Sequence, residues 1–383
     1  MNQVQPIRIM QLIARMNVGG PAIIVAELMR GLDSERFEVI LVTGHCSDDE
    51  ADYLDEVATD IPVTRINSLG RSVSILADIK SFITLLKLIH NFKPDIIHTH
   101  TAKAGVLGRF AGLIAYPRAK RIHTFHGHLL HGYFSPVKTN FIILIERVMA
   151  SFSATLIPIG NQVRNDLLEA GIGTPKQYSV IFPGLDHLPI QSKVSARDQL
   201  RLEADKIYIV FVGRLTQIKR PDRLIEIARH LKISQSKVEL LIAGAGEKFT
   251  EIQEVATRES LPMVFLGWRN DIGRILSASD IAILCSDNEG IPLSLIQASQ
   301  AGLPIISTNV GSVNDIVIHG ETGLLTETNT QRLIQAVDEL ISSPAEMVQF
   351  GLASKARSES HFSLSGMIQA HEKLYSQVIG RIN

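Results

Sequence analysis

Short apolar, β-branched runs alternate with amphipathic stretches along the whole 383-residue chain. A short apolar run predicts a buried strand, and an apolar stripe at spacings of three and four predicts a helix that packs on a sheet. The stretch after Arg220 has this helical spacing, with Leu224, Ile227, Ala228 and Leu231 on one stripe. Regular alternation of the two element types is typical of a parallel βαβ architecture, so we expect an α/β fold.

The same pattern assigns elements to both halves of the chain. It predicts strands at 8–14, 38–43, 63–66, 95–98, 121–125, 155–158 and 179–181, and then at 207–212, 238–243, 264–266, 281–285, 305–308 and 323–325. It predicts helices that include 21–32, 75–91, 103–114, 136–152, 291–301, 345–358 and 364–379. We therefore expect two doubly wound parallel sheets that face each other across a cleft, with ligands at the carboxyl ends of the strands.

A polar stretch rich in proline interrupts the alternation near residue 190, and we interpret it as an interdomain linker. The predicted division is 1–186 for a first Rossmann-like domain, 187–200 for the linker, 201–362 for a second Rossmann-like domain and 363–383 for a C-terminal helix. A chain of this length is expected to form two domains.

Composition excludes several classes of protein. Hydrophobic residues make up 45% of the chain and charged residues 20%, which fits a globular enzyme. With 38 basic and 39 acidic residues the net charge is −1, which offers no case for nucleic-acid binding. The two cysteines lie far apart, and we recognise neither a signal peptide nor a membrane-spanning run. We expect a reducing cytoplasmic location, with peripheral membrane contact at most.

The most informative motif is DNEGIPLSLIQASQAG at 287–302. Glu289 follows an apolar strand, and Gly290 and Pro292 open a predicted helix. The first amides of a helix are unpaired and lie at its positive dipole end, so they form a seat for phosphate. A carboxylate beside such a seat suggests a nucleotide-sugar, with the diphosphate on the helix and Glu289 on the sugar hydroxyls.

Two cations follow the first strand of the second half. Gly213 allows a sharp turn, and Arg214 and Lys219 are placed to bind phosphate oxygens. Taken alone, this spacing is more often that of solvated loop cations. Together with Glu289 and its helix, it indicates a diphosphate site.

Two further turns in the second half are candidates for nucleotide contact. Gly244 belongs to a Gly-x-Gly turn, which is more often simple strand-to-helix geometry. Trp268, the only tryptophan, precedes Arg269. Trp268 could form the wall of a base pocket, and backbone groups near Arg269 could pair with the base edge. Packing of this aromatic ring under a loop is an equally good interpretation.

In the first half, Gly19 and Gly20 form a turn at a helix start, which lets the backbone approach a ligand, although Gly-Gly is common in plain turns. Histidines crowd this half of the chain at positions 98, 100, 123, 126, 128 and 131. A metal site is disfavoured, because no carboxylate or thiolate lies in ligand spacing with them. We instead expect His126 to orient a sugar hydroxyl or to polarise the acceptor.

Several neighbours of His126 have less certain roles. We expect His98 and His123 to be core residues, because they lie within apolar strands. His100 and Lys103 are candidates for the acceptor side. Lys103 and Arg109 face either an anionic acceptor or solvent. The acidic run at 48–50 reads as solvated surface, not as a metal site.

The combined motifs resemble the retaining glycosyltransferases of family 4. The segments concerned are VGRLTQIKRPDRLIEIA, FLGWRNDI, ILSASDIAILCSDNEGIPLSLIQASQAGLPIISTNVGSVNDIV and GETGLL. In the first half, DIIHTHTAKAGVLGRFAG and HTFHGHLLHGYFSPVK are similar to members that build capsule, O-antigen and related bacterial surface glycans. The resemblance runs through nearly the whole chain. It implies a GT-B fold of two Rossmann-like domains, with the last helix crossing back onto the first.

The resemblance also implies roles for individual residues. Arg214 and Lys219 would neutralise the donor diphosphate, and Gly19 and Gly20 would close over it. Glu289 would contact the donor sugar, and His126 would match the family's histidine near that sugar. The distal phosphate would lie on the backbone of Gly290, Ile291, Pro292 and Leu293.

One position departs from the family pattern. Where the family has a second glutamate, eight residues after the first, this chain has Gln297. An amide accepts a ribose hydroxyl bond but lacks the charge of a carboxylate, which could weaken donor binding by about 1–2 kcal/mol. The residues that handle phosphate are unaffected.

The resemblance implies metal-independent transfer of a sugar without a cofactor, from a donor that we expect to be a UDP-sugar. The expected acceptor is a glycan linked to polyprenyl diphosphate. Such an acceptor would bring the protein to the inner membrane face, and 128–147 is a candidate docking stretch unless it is an ordinary buried helix. Two alternatives stay open: a nucleotide-sugar 2-epimerase on the same scaffold, and a catalytically degenerate partner subunit.

Overall fold

The structure is a computed structural model, and it describes residues 5–48, 50–127, 136–234 and 237–381. The chain forms two compact units. The N-terminal unit consists of Met1–Gly184 and Leu364–Asn383, and the C-terminal unit consists of Leu185–Ser363.

The N-terminal unit is a parallel sheet flanked by helices. Its elements are β1 (Ile7–Ile13), α1 (Gly20–Gly31), β2 (Phe37–Thr43), α2 (Tyr53–Glu56), β3 (Val63–Arg65), α3 (Ile75–Phe92), β4 (Ile96–His100), α4 (Ala102–Ala115), β5 (Lys120–Phe125), α5 (Pro136–Ser151), β6 (Thr155–Pro158), α6 (Asn161–Glu169) and, from the end of the chain, α15 (Leu364–Ile379). The six strands lie in the order β3-β2-β1-β4-β5-β6. The order therefore reverses between β1 and β4, where Gln11 pairs in register with His98.

The C-terminal unit repeats this plan. Its elements are α7 (Lys193–Leu200), β7 (Ile207–Val212), α8 (Pro221–Ser234), β8 (Val238–Ala243), α9 (Phe249–Arg258), β9 (Met263–Gly267), α10 (Ile272–Ala278), β10 (Ile281–Leu284), α11 (Leu293–Gln300), β11 (Ile305–Thr308), α12 (Val313–Ile316), β12 (Gly323–Thr326), α13 (Thr330–Ile341) and α14 (Pro344–His361). The strand order is β12-β11-β10-β7-β8-β9, so the reversal lies between β7 and β10.

Burial on both faces explains why the strands read as continuous apolar runs. Strands β4, β6, β10 and β11 are buried along their whole length, because helices cover both sides of a parallel sheet. Two local predictions differ from the structure. The segment 179–181 is not a strand, and only Tyr178 forms an isolated bridge to Leu156. The predicted linker contains α7, which packs on α10 within the C-terminal unit.

Of the helices in the described part of the chain, none has the length and apolar character needed to cross a bilayer.

Candidate active site

The reversal point of the C-terminal unit brings together the loops that follow β7 and β10. Arg214 is exposed, and its side chain has no hydrogen-bond or ion-pair partner among the described residues. Lys219 ends a short 3₁₀ turn, Gln217–Lys219, and is mostly buried. Ligands of doubly wound sheets bind at this kind of position.

Lys219 and Glu289 form the centre of this site. Lys219 Nζ donates to Glu289 Oε1 at 2.5 Å, and Ser286 Oγ donates to the same oxygen at 2.6 Å. The two charged side chains are 18% and 9% exposed, so solvent screens the pair only weakly. The second carboxylate oxygen of Glu289 makes no hydrogen bond to the described residues and is available to a ligand hydroxyl.

Ion pairs of two arginines near Lys219 link the loop after β7 to the loop after β10. The Asp287 amide donates to the Ile218 carbonyl at 2.9 Å. Arg220 and Arg223 both form ion pairs with Asp287, at 3.0 and 2.7 Å. Because these contacts link the two loops directly, the position of Lys219 relative to Glu289 is set by the chain on both sides of it.

Helix α11 begins directly after Glu289, with Pro292 at its N-cap. The amides of Leu293 and Ser294 lie in the first turn, where no intrahelical carbonyl is available to them. The backbone before the helix is held by a second turn, since the Ser312 amide donates to the Gly290 carbonyl at 3.0 Å. Gly290, Ile291, Pro292 and Leu293 therefore form an ordered backbone edge next to the Lys219–Glu289 pair.

Gln297 lies one helical turn after Leu293, partly buried. Its side-chain amide makes no hydrogen bond to the residues that the structure describes. An amide in this state retains both donor and acceptor capacity for a ligand.

Glycine allows the ends of β7, β8 and β9 to pack tightly. The Gly213 amide donates to the Ala243 carbonyl at 3.0 Å, and the Gly244 amide donates to the Gly267 carbonyl at 2.7 Å. A Cβ on Gly244, whose φ is +145°, would lie 1.9 Å from the Gly213 carbonyl oxygen. Any side chain at position 244 would therefore push the Arg214 loop away from the sheet.

Trp268 and Arg269 follow β9 at the same edge of the sheet. Trp268 is 53% exposed, so it is not a core aromatic. Arg269 is held by Asp271 through two bonds of 2.7 and 2.5 Å, and Arg274 also donates to Asp271 at 2.8 Å. The hydrogen bond that Arg269 donates to Asp271 raises the pKa of Arg269 and lowers the pKa of Asp271. The Arg269 guanidinium is thus already paired, which leaves its backbone for ligand contact.

In the N-terminal unit, the turn after β1 leads into α1. Gly19 is the N-cap and Gly20 the first helical residue, and no side chain caps the helix. Pro21 follows, and proline at this position has no amide hydrogen to leave unpaired. The turn is bare backbone, as close approach to a ligand requires.

The histidines predicted at this end of the sheet form a connected group. His100 Nδ1 lies 2.9 Å from His126 Nε2, and His100 Nε2 lies 2.8 Å from Gln11 Oε1. His98 Nδ1 lies 2.7 Å from the hydroxyl of Tyr375, which belongs to α15. His98, His100 and Tyr375 are fully buried, whereas His126 is partly exposed.

Burial keeps these imidazoles neutral. It lowers the pKa of His98, His100 and His123 well below the ordinary value. It also lowers the pKa of His126 to about 3 and of His371 to about 4. The expectation that His98 and His123 are core residues is confirmed by their exposures of 0% and 1%.

Lys103 and Arg109 are both already paired. Lys103 lies 2.5 Å from Asp78 and donates to the Ser72 carbonyl at 2.6 Å. The prediction that Arg109 faces an acceptor or solvent is wrong. Its side chain is 0% exposed and donates to Glu146 at 2.7 Å, and Gly105 leaves room for it, since a Cβ on Gly105 would lie 3.2 Å from Arg109 Nη2.

Among residues 5–48, 50–127, 136–234 and 237–381, no three His, Cys, Asp or Glu side chains are grouped to hold a metal ion. His128, His131, the first part of the stretch 128–147 and Asp49 lie outside the described residues.

Sequence reasoning missed Gln11 and Tyr375. Gln11 lies within an apolar strand. A polar residue at a buried strand position is unusual, and this is the one signal that could have identified it. Tyr375 is separated from Gln11 by 364 positions, and no spacing rule connects residues so far apart.

Comparison with known proteins agrees with this geometry. The family described as "Glycosyl transferases group 1" matches residues 192–357, and the "Glycosyl transferase 4-like domain" matches residues 19–184. The chain is also 32% identical over 312 residues to the UDP-Gal:alpha-D-GlcNAc-diphosphoundecaprenol alpha-1,3-galactosyltransferase of Escherichia coli, and the match covers 78% of each chain. This chain belongs to the group 1 glycosyltransferases.

The glycosyltransferase is similar to further proteins of known or assigned role. It is 25% identical over 338 residues to the capsular polysaccharide biosynthesis glycosyltransferase CapM of Staphylococcus aureus, covering 85% of this chain and 86% of the relative. The Anabaena Alr3699/HepE structure with UDP has a TM-score of 0.82 at 21% identity, over 97% of this chain and all of that one. The sucrose-phosphate synthase of Thermosynechococcus elongatus has a TM-score of 0.83 at 21% identity, over 98% and 100% of the two chains. The predicted GT-B fold is confirmed.

Proposed function

We propose that this glycosyltransferase moves a sugar from a UDP-sugar to a polyprenyl-diphosphate-linked glycan, with retention of the anomeric configuration, in the biosynthesis of a surface polysaccharide. Support for the donor and acceptor comes from the Escherichia coli relative, whose name contains both UDP-Gal and a diphosphoundecaprenol acceptor. Support from the structure comes from one observation above all: an exposed arginine, a Lys–Glu pair and an open helix start lie at the reversal point of the C-terminal sheet.

The donor diphosphate fits the charges of this site. Arg214 has no partner among the described residues, and Lys219 Nζ uses one of its three donor hydrogens on Glu289. A pyrophosphate would add two acceptor groups to these cations and to the amides that begin α11. Gly19 and Gly20 would add backbone contacts from the N-terminal unit. We assign the ribose to Gln297 and the base to the backbone near Trp268 and Arg269, beside Gly244.

Bond cleavage follows from the same groups. As the sugar–phosphate bond lengthens, positive charge develops on the sugar and negative charge on the departing diphosphate. Arg214, Lys219 and the amides of α11 stabilise the negative charge, so we propose that the protein supplies the positive charge without a metal ion. Glu289 holds a sugar hydroxyl. The acceptor hydroxyl then attacks from the face that the diphosphate leaves, and a phosphate oxygen takes its proton.

His126 is the group of the N-terminal unit that we assign to the donor sugar. It is neutral and partly exposed, so it can bond a hydroxyl without introducing charge. His100 is fully buried and forms a hydrogen bond with His126. It therefore acts on a ligand only through that contact. We place Lys103 on the acceptor side, where a diphosphate could compete with Asp78 for its ammonium group.

The helices α3, α4 and α5 form an outer face with the properties of a membrane-contacting surface. They lie side by side, since Phe82 of α3 stacks on Phe110 of α4 at 5.5 Å and Arg109 of α4 pairs with Glu146 of α5. Each helix turns large apolar side chains outward. We call this set the apolar face: Ile75, Leu76, Ile79, Ile83, Phe110, Ile114, Val137, Phe141, Leu144 and Val148.

The exposed charges on the helices of the apolar face are cationic. They include Lys80, Lys87 and Arg147. The acids on the same helices, Asp78 and Glu146, are paired with Lys103 and Arg109 and are 20% and 7% exposed. An apolar stripe with a cationic rim favours the surface of an anionic bilayer, which is where a polyprenyl-linked acceptor is found.

A donor and acceptor screen tests the reaction. The purified protein is incubated with UDP-Gal, UDP-Glc, UDP-GlcNAc or GDP-Man, and with polyprenyl-diphosphate-linked GlcNAc or free GlcNAc. We expect release of UDP only with a UDP-sugar and the lipid-linked acceptor, an α-linked product by NMR, and no loss of rate with EDTA. Inversion of the anomeric centre, or epimer formation without acceptor, would contradict the proposal.

Vesicle flotation tests the apolar face. We expect binding to phosphatidylglycerol-containing vesicles but not to pure phosphatidylcholine, and loss of binding in the Leu76→Glu, Phe141→Glu double variant. Ile233→Glu is the matched control, because Ile233 is 89% exposed but lies in the C-terminal unit. Dimerisation through the apolar face without vesicle binding would contradict the membrane contact.

A further inference from the structure

One continuous chain of hydrogen bonds runs through the N-terminal unit and ends at His126. We call it the histidine chain, and it consists of Thr124, His98, Tyr375, Gln11, His100 and His126. His98 lies 2.7 Å from Thr124 Oγ1 through Nε2 and 2.7 Å from the Tyr375 hydroxyl through Nδ1. That hydroxyl lies 3.1 Å from Gln11 Nε2, and Gln11 Oε1 lies 2.8 Å from His100 Nε2. The last distance, from His100 Nδ1 to His126 Nε2, is 2.9 Å.

Four elements contribute to the histidine chain. Gln11 comes from β1, His98 and His100 from β4, Thr124 from the end of β5, and Tyr375 from α15. Every member except His126 is at most 2% exposed. A buried polar chain must satisfy its own donors and acceptors, so the proton positions along it are coupled.

The coupling follows from counting the proton that each nitrogen and oxygen carries. A neutral imidazole has one N–H and one lone pair. Gln11 Oε1 can only accept, so His100 Nε2 carries the proton and His100 Nδ1 has the lone pair. His126 Nε2 must then donate to that lone pair. The remaining nitrogen of His126, Nδ1, is left with a lone pair and has no partner among the described residues.

The Gln11 amide faces Tyr375 with its Nε2 group, which donates to the Tyr375 oxygen. We therefore assign the Tyr375 hydroxyl as the donor to His98 Nδ1, which makes His98 Nε2 the donor to Thr124. Rotation of the Gln11 amide by half a turn would reverse every donor in the histidine chain and would place the proton of His126 on Nδ1.

We propose that Tyr375, Gln11 and His100 are positioning residues that hold His126 in its Nε2–H tautomer, so that Nδ1 accepts a hydrogen bond from a hydroxyl of the bound sugar. The contact with a sugar hydroxyl rests on the proposed function. The tautomer itself is a property of the ligand-free protein. The C-terminal helix α15 thereby contributes to the site through a hydroxyl that touches no substrate.

Histidine-selective ¹⁵N NMR of the full chain tests the tautomer directly. The His126 signals are assigned as those lost in His126→Gln. We expect a protonated Nε2 and an unprotonated Nδ1 in the ligand-free protein, and a shift of the Nδ1 resonance when the UDP-sugar, but not UDP, is added. A protonated Nδ1 in the ligand-free protein would overturn the proposal without bearing on the transfer reaction.

Tyr375→Phe tests the positioning role. The variant keeps the ring that packs on Phe37 at a centroid distance of 6.0 Å and loses only the hydroxyl. We expect mixed His126 tautomers and a kcat/KM about five- to tenfold lower, which corresponds to the loss of one hydrogen bond. The Kd for UDP should be unchanged, because UDP lacks the transferred sugar. Tyr178→Phe is the control, because its hydroxyl donates to the Ile172 carbonyl outside the histidine chain.

The results separate this inference from the proposed function. Mixed tautomers with unchanged kcat/KM in Tyr375→Phe would overturn the positioning role, as would an equal loss in Tyr178→Phe. Unchanged transfer in His126→Ala would instead contradict the assignment of His126 to the donor sugar.

Discussion

The reversal points of the two sheets have the same topology and opposite chemistry. After β7 and β10, the side chains are charged, and Lys219 bonds Glu289 at 2.5 Å with ion pairs of two arginines near it. At the reversal point between β1 and β4, they are neutral imidazoles, an amide and, from α15, a phenol, buried and joined end to end. Topology thus creates an open edge in each sheet, and the local residues decide whether that edge stabilises charge or places protons.

This difference in chemistry also predicts which kind of change disturbs each unit. An ion pair at a phosphate site acts on charge that develops during the reaction, so its loss is expected to appear mainly in the rate. A neutral buried network acts on orientation, and protonation disrupts it, so its loss is expected to appear in stability at low pH.

Removal of the lysine should have the largest effect on activity. We expect Lys219→Ala to lower kcat about 10²- to 10³-fold, the magnitude found when one preorganised donor to a developing oxyanion is lost. Steady-state kinetics measures the effect, with Lys237→Ala as control because that side chain is 72% exposed. Near-normal turnover in Lys219→Ala would contradict the view that the charged site acts on the reaction rate.

Mild acid should destabilise the N-terminal unit first. The histidines with a lowered pKa, among them His126 at about 3 and His371 at about 4, lie in that unit. Between the ordinary histidine pKa and these values only the unfolded chain binds the protons, so the stabilisation is complete above about pH 6.5 and falls with pH by about 1.4 kcal/mol per unit for each histidine.

Hydrogen exchange measured by mass spectrometry at pH 7 and pH 5 resolves the two units. We expect faster exchange at pH 5, after correction for the intrinsic rate, in β1, β4 and β5. The ion-paired carboxylates Asp222, Asp271 and Glu259 have a lowered pKa, so their contribution to the C-terminal unit is lost only at lower pH. Equal destabilisation of both units at pH 5 would contradict the comparison.

A side chain at Gly244 should damage the charged site through packing. We expect Gly244→Ala to lower the free energy of unfolding by about 2–4 kcal/mol, because a clash adds to an unfavourable backbone angle. Urea unfolding followed by the fluorescence of Trp268, the only tryptophan, reports on this unit. Gly320→Ala is the control: its φ is +76°, with no atom within 4 Å of the added Cβ. Equal losses in the two variants would mean that backbone strain, not the clash, matters.

The smallest effect should come from restoring charge next to the nucleotide. We expect Gln297→Glu to tighten UDP about five- to tenfold, because a charge-assisted bond to a ribose hydroxyl replaces a neutral one. Calorimetry with UDP measures the change. Gln253→Glu, an exposed position on α9, adds the same charge elsewhere and should leave the Kd unchanged. Weaker binding in Gln297→Glu would show that position 297 does not face the ribose.

The strands were the most predictable part of the fold. The predicted runs 155–158, 238–243 and 305–308 coincide with β6, β8 and β11, because strands buried on both faces need uninterrupted apolar sequence. The grouping of Lys219 with Glu289 was also predictable, since each follows a strand and adjacent parallel strands end at the same edge.

Other features depended on contacts that no local pattern contains. Arg109 was expected at a helix surface, yet it lies buried against Glu146, because Gly105 on its own helix leaves space that only the packed structure reveals. Likewise, the segment around α7 reads as a polar linker, but it is helical where it packs on α10.

The amino-acid sequence by itself determined the alternation of strands and helices, the two-sheet plan and the charged residues at the second reversal point. These are local properties, since periodicity, turns and helix starts are set within a few residues. Only the tertiary structure decided the histidine chain. Gln11 and Tyr375 meet across 364 positions, and a hydrogen bond between such distant side chains exists only once packing has placed both and excluded water from between them.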